Sequence, residues 1–546
     1  MDGSVKAPAG APLALKARQP GQIGIIISVS GFKVTCLLFG ETTPGANDAA
    51  YASAQIGTLV KIPTQRSVAY GFLGSLDLQQ VVGDQPMAVA VVDLLGEATS
   101  NRDGKTSFAR GISIYPVLGA PVFATGSEDI ALIYAKPNTW TLAIGSLHQD
   151  ETRPAYLLSQ EFLSKHSAIV GTTGSGKSCA LTLMLRTLLT AHPNGHVVLL
   201  DPHGEYAPAF PDFAERLTHD RLQLPYWLFS FEEICEVLCS KDPIARSREV
   251  PILKEVIMQA KIDFLGGGKD AHPQLTVDTP SPYRMNTVMQ RIQEQMGKLD
   301  RPDSSLPYIR LYSTIEALRK DRRYAFMFEG LTVRDNMAEL IGRILRIPVE
   351  GKPITILDIS AVPSEIVNVV VSLLCRIIFD FALWSDRDEA IPILVVCDEA
   401  HRYIPRDESA GFEPTIRSIA RIAKEGRKYG VSLCLVTQRP AELSETILSQ
   451  CSTIFALRMN NEKDRAYVRN MLLDDAAGLM AALPTLRQRE AIAVGEGVAH
   501  PMRIRFNDLD PEFRPKGEAA NFPKAWQDDI KGRDFVGGII DRWRTQ

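Results

Sequence analysis

Cysteine is scarce in this chain: eight are spread over 546 residues, at positions 36, 179, 235, 239, 375, 397, 434 and 451, often inside apolar runs. Spacing this thin excludes a disulfide scaffold and fits a reducing, cytoplasmic compartment. Long apolar runs are missing as well. The most apolar stretch, Val367 to Trp384, is interrupted by Arg376 and Asp380, and a bilayer span needs ~20 uncharged apolar residues, so no membrane segment is expected. Residues 1–20 carry Asp2 and prolines but no continuous apolar core, and read as a flexible arm rather than a signal peptide. Neither charge dominates. Lys+Arg 60 against Asp+Glu 64 leaves a net charge of −4, which confines any polyanion site to a local patch. Repeats and low-complexity tracts are absent. With 45% hydrophobic and 23% charged residues the composition is that of a globular protein, long enough for roughly three to four domains.

What is present changes character along the chain. Within residues 21–150, short β-rich runs (Ile23–Val29, Phe32–Leu38, Thr58–Ile62, Val68–Leu73, Met87–Leu95, Gly111–Tyr115, Thr141–Ile144) alternate with Gly, Pro and Asp. This predicts a small all-β barrel or sandwich, with Ser30-Gly31 as its clearest hairpin turn. From Ser164 onward β-runs alternate with helical runs, the pattern of a parallel α/β sheet, over 151–210 and again over 351–505. Between them, residues 211–350 are helix-patterned and read as a helical insertion. There Met285, Val288, Met289, Ile292, Met296 and Leu299 recur at helical spacing, as a packed helix face does. Residues 506–546 form a C-terminal extension.

The chemistry begins at Gly171-Thr172-Thr173-Gly174-Ser175-Gly176-Lys177-Ser178. Every fixed position of G-x-x-x-x-G-K-[ST] is met, between an apolar run, Ser167–Val170, and a helical run that starts at Cys179. Glycines there let backbone N–H groups wrap a phosphate at a helix N-terminus, where the dipole favours an anion. Lys177 is placed to reach the β- and γ-phosphates, and the Ser178 hydroxyl to hold Mg²⁺. Downstream, the apolar strand Ile393–Cys397 delivers Asp398 and Glu399 at its end, the edge where α/β sheets bind ligands. Asp398 is expected to support Mg²⁺ through water, and Glu399 to polarise an attacking water.

Gln438 ends a further apolar strand, Val431–Thr437, and two readings stay open for it: a γ-phosphate sensor or a cap on the turn before Pro440. Asp201, followed by Pro202-His203-Gly204-Glu205-Tyr206, also sits at the ligand-facing edge, and His203 and His401 read as polar walls of the site rather than metal ligands. Cys235 and Cys239 have no second pair at zinc spacing and read as core. A neighbouring subunit's arginine often neutralises charge on the transferred phosphoryl group. Arg427, in Lys424–Gly430, and Arg458 are the candidates for such a finger, each also readable as a surface charge. The cluster Arg319, Lys320, Arg322 and Arg323 reads as a solvated face, and as a DNA contact only if a ring encloses a channel.

Taken together these segments resemble the HerA-type hexameric DNA translocases, relatives of the FtsK-like pumps among P-loop ATPases. The resemblance rests on Gly171–Ser178, Asp201–Tyr206, Ile356-Leu357-Asp358-Ile359-Ser360, Val395–His401, Glu425–Gly430 through Thr437–Pro440, and Gly495-Glu496-Gly497. Upstream, Arg110-Gly111, Tyr115-Pro116 and Leu118-Gly119 are similar to the barrel that precedes the motor in that family. The resemblance spans about Gln22 to Arg505. It implies an α/β P-loop NTPase core of RecA/FtsK type behind a small N-terminal β-barrel, with ATP held by Gly171–Ser178 and the adjoining Cys179. It also implies a homohexamer with ATP sites between subunits and double-stranded DNA in a central pore. A nuclease or a sirtuin-like NAD-consuming effector would dock on the barrel, in DNA end processing or anti-phage defence. A second reading uses the same site differently: a nucleotide-dependent ring scaffold that activates a partner enzyme with little DNA movement.

Overall fold

The computed structural model describes residues 19–39, 55–80, 86–218, 221, 224–297, 302–328, 333–362, 364–407, 409, 411–471, 477–516, 526 and 533–545. Most of the N-terminal arm expected over residues 1–20, Leu299 and part of the C-terminal extension lie outside the described residues. Seven strands build the first sheet: β1 (Gln22–Ser30), β2 (Lys33–Leu38), β3 (Leu59–Pro63), β4 (Ser67–Gln80), β5 (Pro86–Ser100), β6 (Thr106–Arg110) and β7 (Pro121–Ala124). Their order is β2-β1-β7-β3-β4-β5, and β5 pairs back onto β2, so six antiparallel strands close a barrel and β6 extends it from β5. Alternation decides the interior. Ile26, Val34, Cys36, Ile62, Val92 and Val122 face inward and form a core separate from the main one. The hairpin at Ser30-Gly31 joins β1 to β2, with Ser30 opposite Lys33.

Two expected barrel strands are placed differently. Residues 111–115 form no strand; the chain turns at Gly111 (φ 92°), and the neighbouring polar run Thr106–Arg110 pairs with β5 instead. Local burial pattern gave no sign of it, because β6 is largely exposed. Thr141–Leu147, β8, belongs to the second sheet, where it pairs with a strand from the far end of the chain. Strand partners of that kind cannot be read from a local pattern.

The second sheet has the order β12-β13-β11-β14-β15-β10-β16-β17-β18-β8-β9. Its members are β9 (Pro154–Leu158), β10 (His166–Val170), β11 (Val197–Asp201), β12 (Ala214–Thr218), β13 (Ile354–Asp358), β14 (Ile393–Cys397), β15 (Val431–Thr437), β16 (Cys451–Leu457), β17 (Glu490–Gly495) and β18 (Met502–Phe506), with β8. Seven neighbours, β12 to β16 in sheet order, run parallel, and four antiparallel strands follow. β10, β11, β13, β14 and β15 are buried at every position, as strands covered on both faces must be. The stretch read as a helical insertion contributes β12, whose polar sequence Ala-Glu-Arg-Leu-Thr suits an edge strand. Its other described elements are helices, chiefly Phe231–Leu238, Pro243–Leu265, Met285–Met296 and Pro302–Lys320, with Met285, Val288, Met289 and Ile292 in the core.

Helix Ser364–Trp384 contains a segment, Ile366–Trp384, that is long and apolar enough to cross a membrane, but most of it is packed inside the protein. The arginine that interrupts it explains the packing. Arg376 donates to the Leu228 carbonyl at 2.6 Å and to the Glu233 carboxylate at 3.0 Å, and Ser372 Oγ donates to the same buried carboxylate at 2.7 Å. The helix is thereby tied to the insertion. Leu374 is fully buried on it, and Leu374→Ala leaves a cavity that costs about 2–5 kcal/mol. A lower denaturant midpoint by far-ultraviolet circular dichroism checks this; an unchanged midpoint would place the helix outside the cooperative core.

Candidate nucleotide site

The phosphate loop spans the end of β10 and the start of helix Lys177–Ala191. Gly174 (φ 73°) and Gly176 (φ 102°) hold left-handed backbone that a side chain would strain, and a Cβ on Gly171 would lie 2.8 Å from Leu457 Cβ and from Ser175 Oγ. Thr172 is pinned to the next strand: its N–H and Oγ1 both donate to the Arg458 carbonyl at 3.0 Å. Ser175, buried, donates Oγ to the Thr172 carbonyl at 2.6 Å. The loop is therefore pre-shaped by its own residues. Lys177 is 8% exposed and its Nζ rests 3.2 Å from the same carbonyl.

Thr173, Gly174, Gly176, Lys177, Ser178 and Cys179 line a cleft of about 280 Å³ together with His203, Glu205, Asp398, Glu399, Gln438 and Pro515. Gly171, Thr172 and Ser175 support it from behind. Asp398 and Glu399 follow β14, and Glu399 takes a left-handed conformation (φ 47°) that turns the chain away from the strand. The Glu399 N–H donates to Asp398 Oδ1 at 2.9 Å, and Tyr206 OH donates to Asp398 Oδ2 at 3.1 Å while also meeting the Ser178 side chain. Burial, and then the adjacent Glu399 carboxylate, push Asp398 up to about 7. Lys177 is lowered by burial, against Glu399, Asp398 and Glu205, which favour its charged form.

Gln438 Oε1 accepts a hydrogen bond from Thr173 Oγ1, which ties the end of β15 to the tip of the loop. His401 Nδ1 stands 3.3 Å from Glu399 Oε2 and 3.1 Å from Thr437 Oγ1, and burial lowers its pKa. Asp201 lies deeper than the cleft wall. Its Oδ1 accepts the N–H groups of His203, Gly204 and Glu205 at 2.8–3.2 Å and its Oδ2 that of Tyr206 at 3.0 Å, so it shapes the turn that presents His203, Glu205 and Tyr206. The bridging role of Tyr206 and the presence of Pro515 carry no signal in the sequence. Each depends on a contact between segments far apart in the chain.

Neither candidate arginine lines the cleft of its own chain. Arg458 lends its carbonyl to Thr172, and its Nε is buried without a hydrogen-bond partner. Arg427 is exposed in the turn Gly426–Tyr429 that precedes β15, at the sheet edge opposite the phosphate loop. In the cluster at 319–323, Lys320 pairs with Glu316, Arg323 with Asp321, and Arg319 Nη1 approaches the Met289 sulfur at 3.1 Å. The Ser178 hydroxyl and the Asp398 carboxylate offer the hard oxygen donors that Mg²⁺ prefers, and a cation there would offset the crowded carboxylates. A lysine, two buried acids, a backbone N–H cradle and an amide in one cleft can bind a triphosphate and polarise water.

Residues 142–378 match the family model described as "Helicase HerA, central domain". A probable helicase of Methanocaldococcus jannaschii is 25% identical over 525 residues, covering 95% of this chain and 92% of its own length. The DNA double-strand break repair helicase HerA of Pyrococcus furiosus is 25% identical over 510 residues, covering 86% and 85%. Among solved structures, VirB4 of Thermoanaerobacter pseudethanolicus aligns over 70% of this chain and 100% of its own with a TM-score of 0.46 at 13% identity.

The raised Asp398 carboxyl has a pH signature. The folded state binds this proton more tightly than the unfolded chain, whose value stays near 3.8, so the group's stability contribution is full below about pH 4 and is lost as pH rises through about 7. Without nucleotide or metal, the melting temperature of the wild type is expected to fall more steeply across that window than that of Asp398→Asn. Parallel slopes in differential scanning fluorimetry would contradict the assignment.

Proposed function

We propose that this chain, a HerA-type P-loop ATPase, assembles as a homohexameric ring that uses ATP and Mg²⁺ to drive double-stranded DNA through a central pore. The observation that carries the reading is the convergence of Lys177, Ser178, Asp398, Glu399 and Gln438 on one cleft. In this reading the loop Gly171–Ser178, with Cys179, binds the phosphates, and Ser178 and Asp398 hold Mg²⁺. Glu399, with His401 beside it, polarises the attacking water, and Gln438 senses the γ-phosphate through its bond to Thr173.

Arg427 is the arginine supplied in trans. It is exposed and distant from its own cleft, whereas Arg458 has its backbone carbonyl bonded to the phosphate loop of its own chain and its Nε buried there. Residues 21–150 serve as the docking module, 151–210 with 351–505 as the motor, and 211–350 as its insertion, in the cytoplasm. A nuclease or a sirtuin-like NAD-consuming effector docks on the barrel, for DNA end processing or anti-phage defence. Support for docking comes from the loop after β6, where Tyr115, Val117 and Leu118 expose 49%, 65% and 67% of their surface, more apolar area than solvent contact favours. The same loop supports the scaffold reading, in which nucleotide gates the effector and little DNA moves. The Pyrococcus furiosus relative's name, a double-strand break repair helicase, favours the motor.

Three variants test the chemistry. Lys177→Ala is expected to lose binding of a fluorescent ATP analogue, and equal binding by wild type and variant would remove the phosphate-loop assignment. Glu399→Gln should bind the analogue yet hydrolyse ATP roughly 10²-fold or more slower. Arg427→Ala should lower turnover by roughly 10³, and mixing it with Lys177→Ala subunits should restore activity, because each supplies what the other lacks. No recovery on mixing would place Arg427 outside the shared site. Movement on DNA is read by ATP-dependent displacement of a third strand from a triplex. Hydrolysis without displacement would favour the scaffold.

A further inference from the structure

The cleft has one wall that the nucleotide motifs do not explain. Eleven of its lining residues come from the phosphate loop, the 203–205 turn, Asp398-Glu399 and Gln438; the twelfth is Pro515, from beyond the last strand. After β18 the chain returns across the motor as a short strap. Asn507 N–H donates to the Ile144 carbonyl at 3.1 Å, Leu509 is buried, and Pro511–Phe513 form a single helical turn. Lys516 N–H then donates to the Glu205 carbonyl at 3.1 Å, and Arg514 Nε to the Leu509 carbonyl at 3.1 Å.

What holds the strap is a cation between two rings. Arg186, on the helix that begins at the phosphate loop, has its guanidinium carbon 3.5 Å from the centre of the Phe513 ring and 5.3 Å from that of Phe213, with Nη1 donating to the Ala209 carbonyl at 2.8 Å. Asp510, Glu512 and Asp212 surround the same charge. A partly desolvated guanidinium stacked on a ring is a strong anchor for one exposed segment. The strap is therefore anchored to the helix whose N-terminus forms the phosphate cradle.

Its position in the cleft identifies what it faces. The γ-phosphate end is marked by Glu399 and Gln438. Arg514 lies near Cys179, in the first turn of the helix, and Pro515 closes the wall beside it. We infer that residues 510–516 form the nucleoside-side wall of the site, with Pro515 packing against the sugar and base and Phe513 positioning it through Arg186. This rests on the nucleotide reading above. Proline presents a rigid apolar edge and no donor, so it favours the nucleoside by shape and excludes water from it rather than reading its hydrogen-bonding edge.

Calorimetric titration of the full chain with Mg²⁺ and either a non-hydrolysable ATP analogue or inorganic tripolyphosphate tests the wall. Pro515→Gly and Phe513→Ala are each expected to weaken the analogue about tenfold while leaving tripolyphosphate affinity unchanged, and Phe513→Tyr, which keeps the ring, should bind as wild type. Unchanged analogue affinity in both variants overturns the inference, as does equal weakening of both ligands, which marks a general disturbance of the phosphate loop. A wild-type chain that binds neither ligand overturns the nucleotide reading, and the inference with it.

Discussion

Five parallel strands, β10, β11, β13, β14 and β15, are buried at every position and leave charge only one place to go, the carboxyl ends of the strands, where the treatment of the acids decides which of them is exposed to a ligand. Asp358, Asp201 and Asp398 follow one another across three adjacent strands. Asp358 is buried, but hydrogen bonds from Ser360 and Arg216 hold its carboxyl below the usual range. Asp201 is raised by burial although four backbone N–H groups use both its oxygens. Asp398, beside the phosphate loop, has a single N–H and a tyrosine hydroxyl against a neighbouring carboxylate. It is the least compensated of the three, which is why the proposed function gives the cation to it.

Bonds from neighbouring segments hold that edge in place. The loop is bonded to itself through Thr172, Ser175 and Lys177, to β16 through the Arg458 carbonyl and to β15 through Gln438. Contacts from farther away reinforce it. Tyr206 spans from the turn shaped by Asp201 to Ser178 and Asp398, and His401, bonded to Thr437 at the end of β15, stands beside Glu399. The barrel joins this body through Tyr70, Phe108, Tyr134 and His500 and through the Lys61–Asp129 ion pair at 2.8 Å. The barrel and the α/β body therefore share a packed, ion-paired boundary.

How much of this was legible in the sequence follows from range. The phosphate loop, the strand ending in Asp398-Glu399 and the strand ending in Gln438 were readable because each is a local pattern, apolar strand then polar end. The parallel α/β core and the barrel followed from the same alternations. What escaped depends on distant partners. β8 looks like any barrel strand and is recruited by β18; β12 is too polar to stand out and is held by β13; Pro515 reaches the cleft, and Tyr206 reaches Asp398 behind it, only through tertiary contacts. Arg427 and Arg458 were equivalent as strand-end charges, and only their opposite placement relative to the loop separates them.

The central claim, that this cleft powers a nucleic-acid motor, is tested most directly by steady-state ATP hydrolysis of the purified chain with and without linear duplex DNA, against Glu399→Gln as the blank. The account predicts a rate well above the blank that rises severalfold with DNA. A rate indifferent to DNA would contradict it.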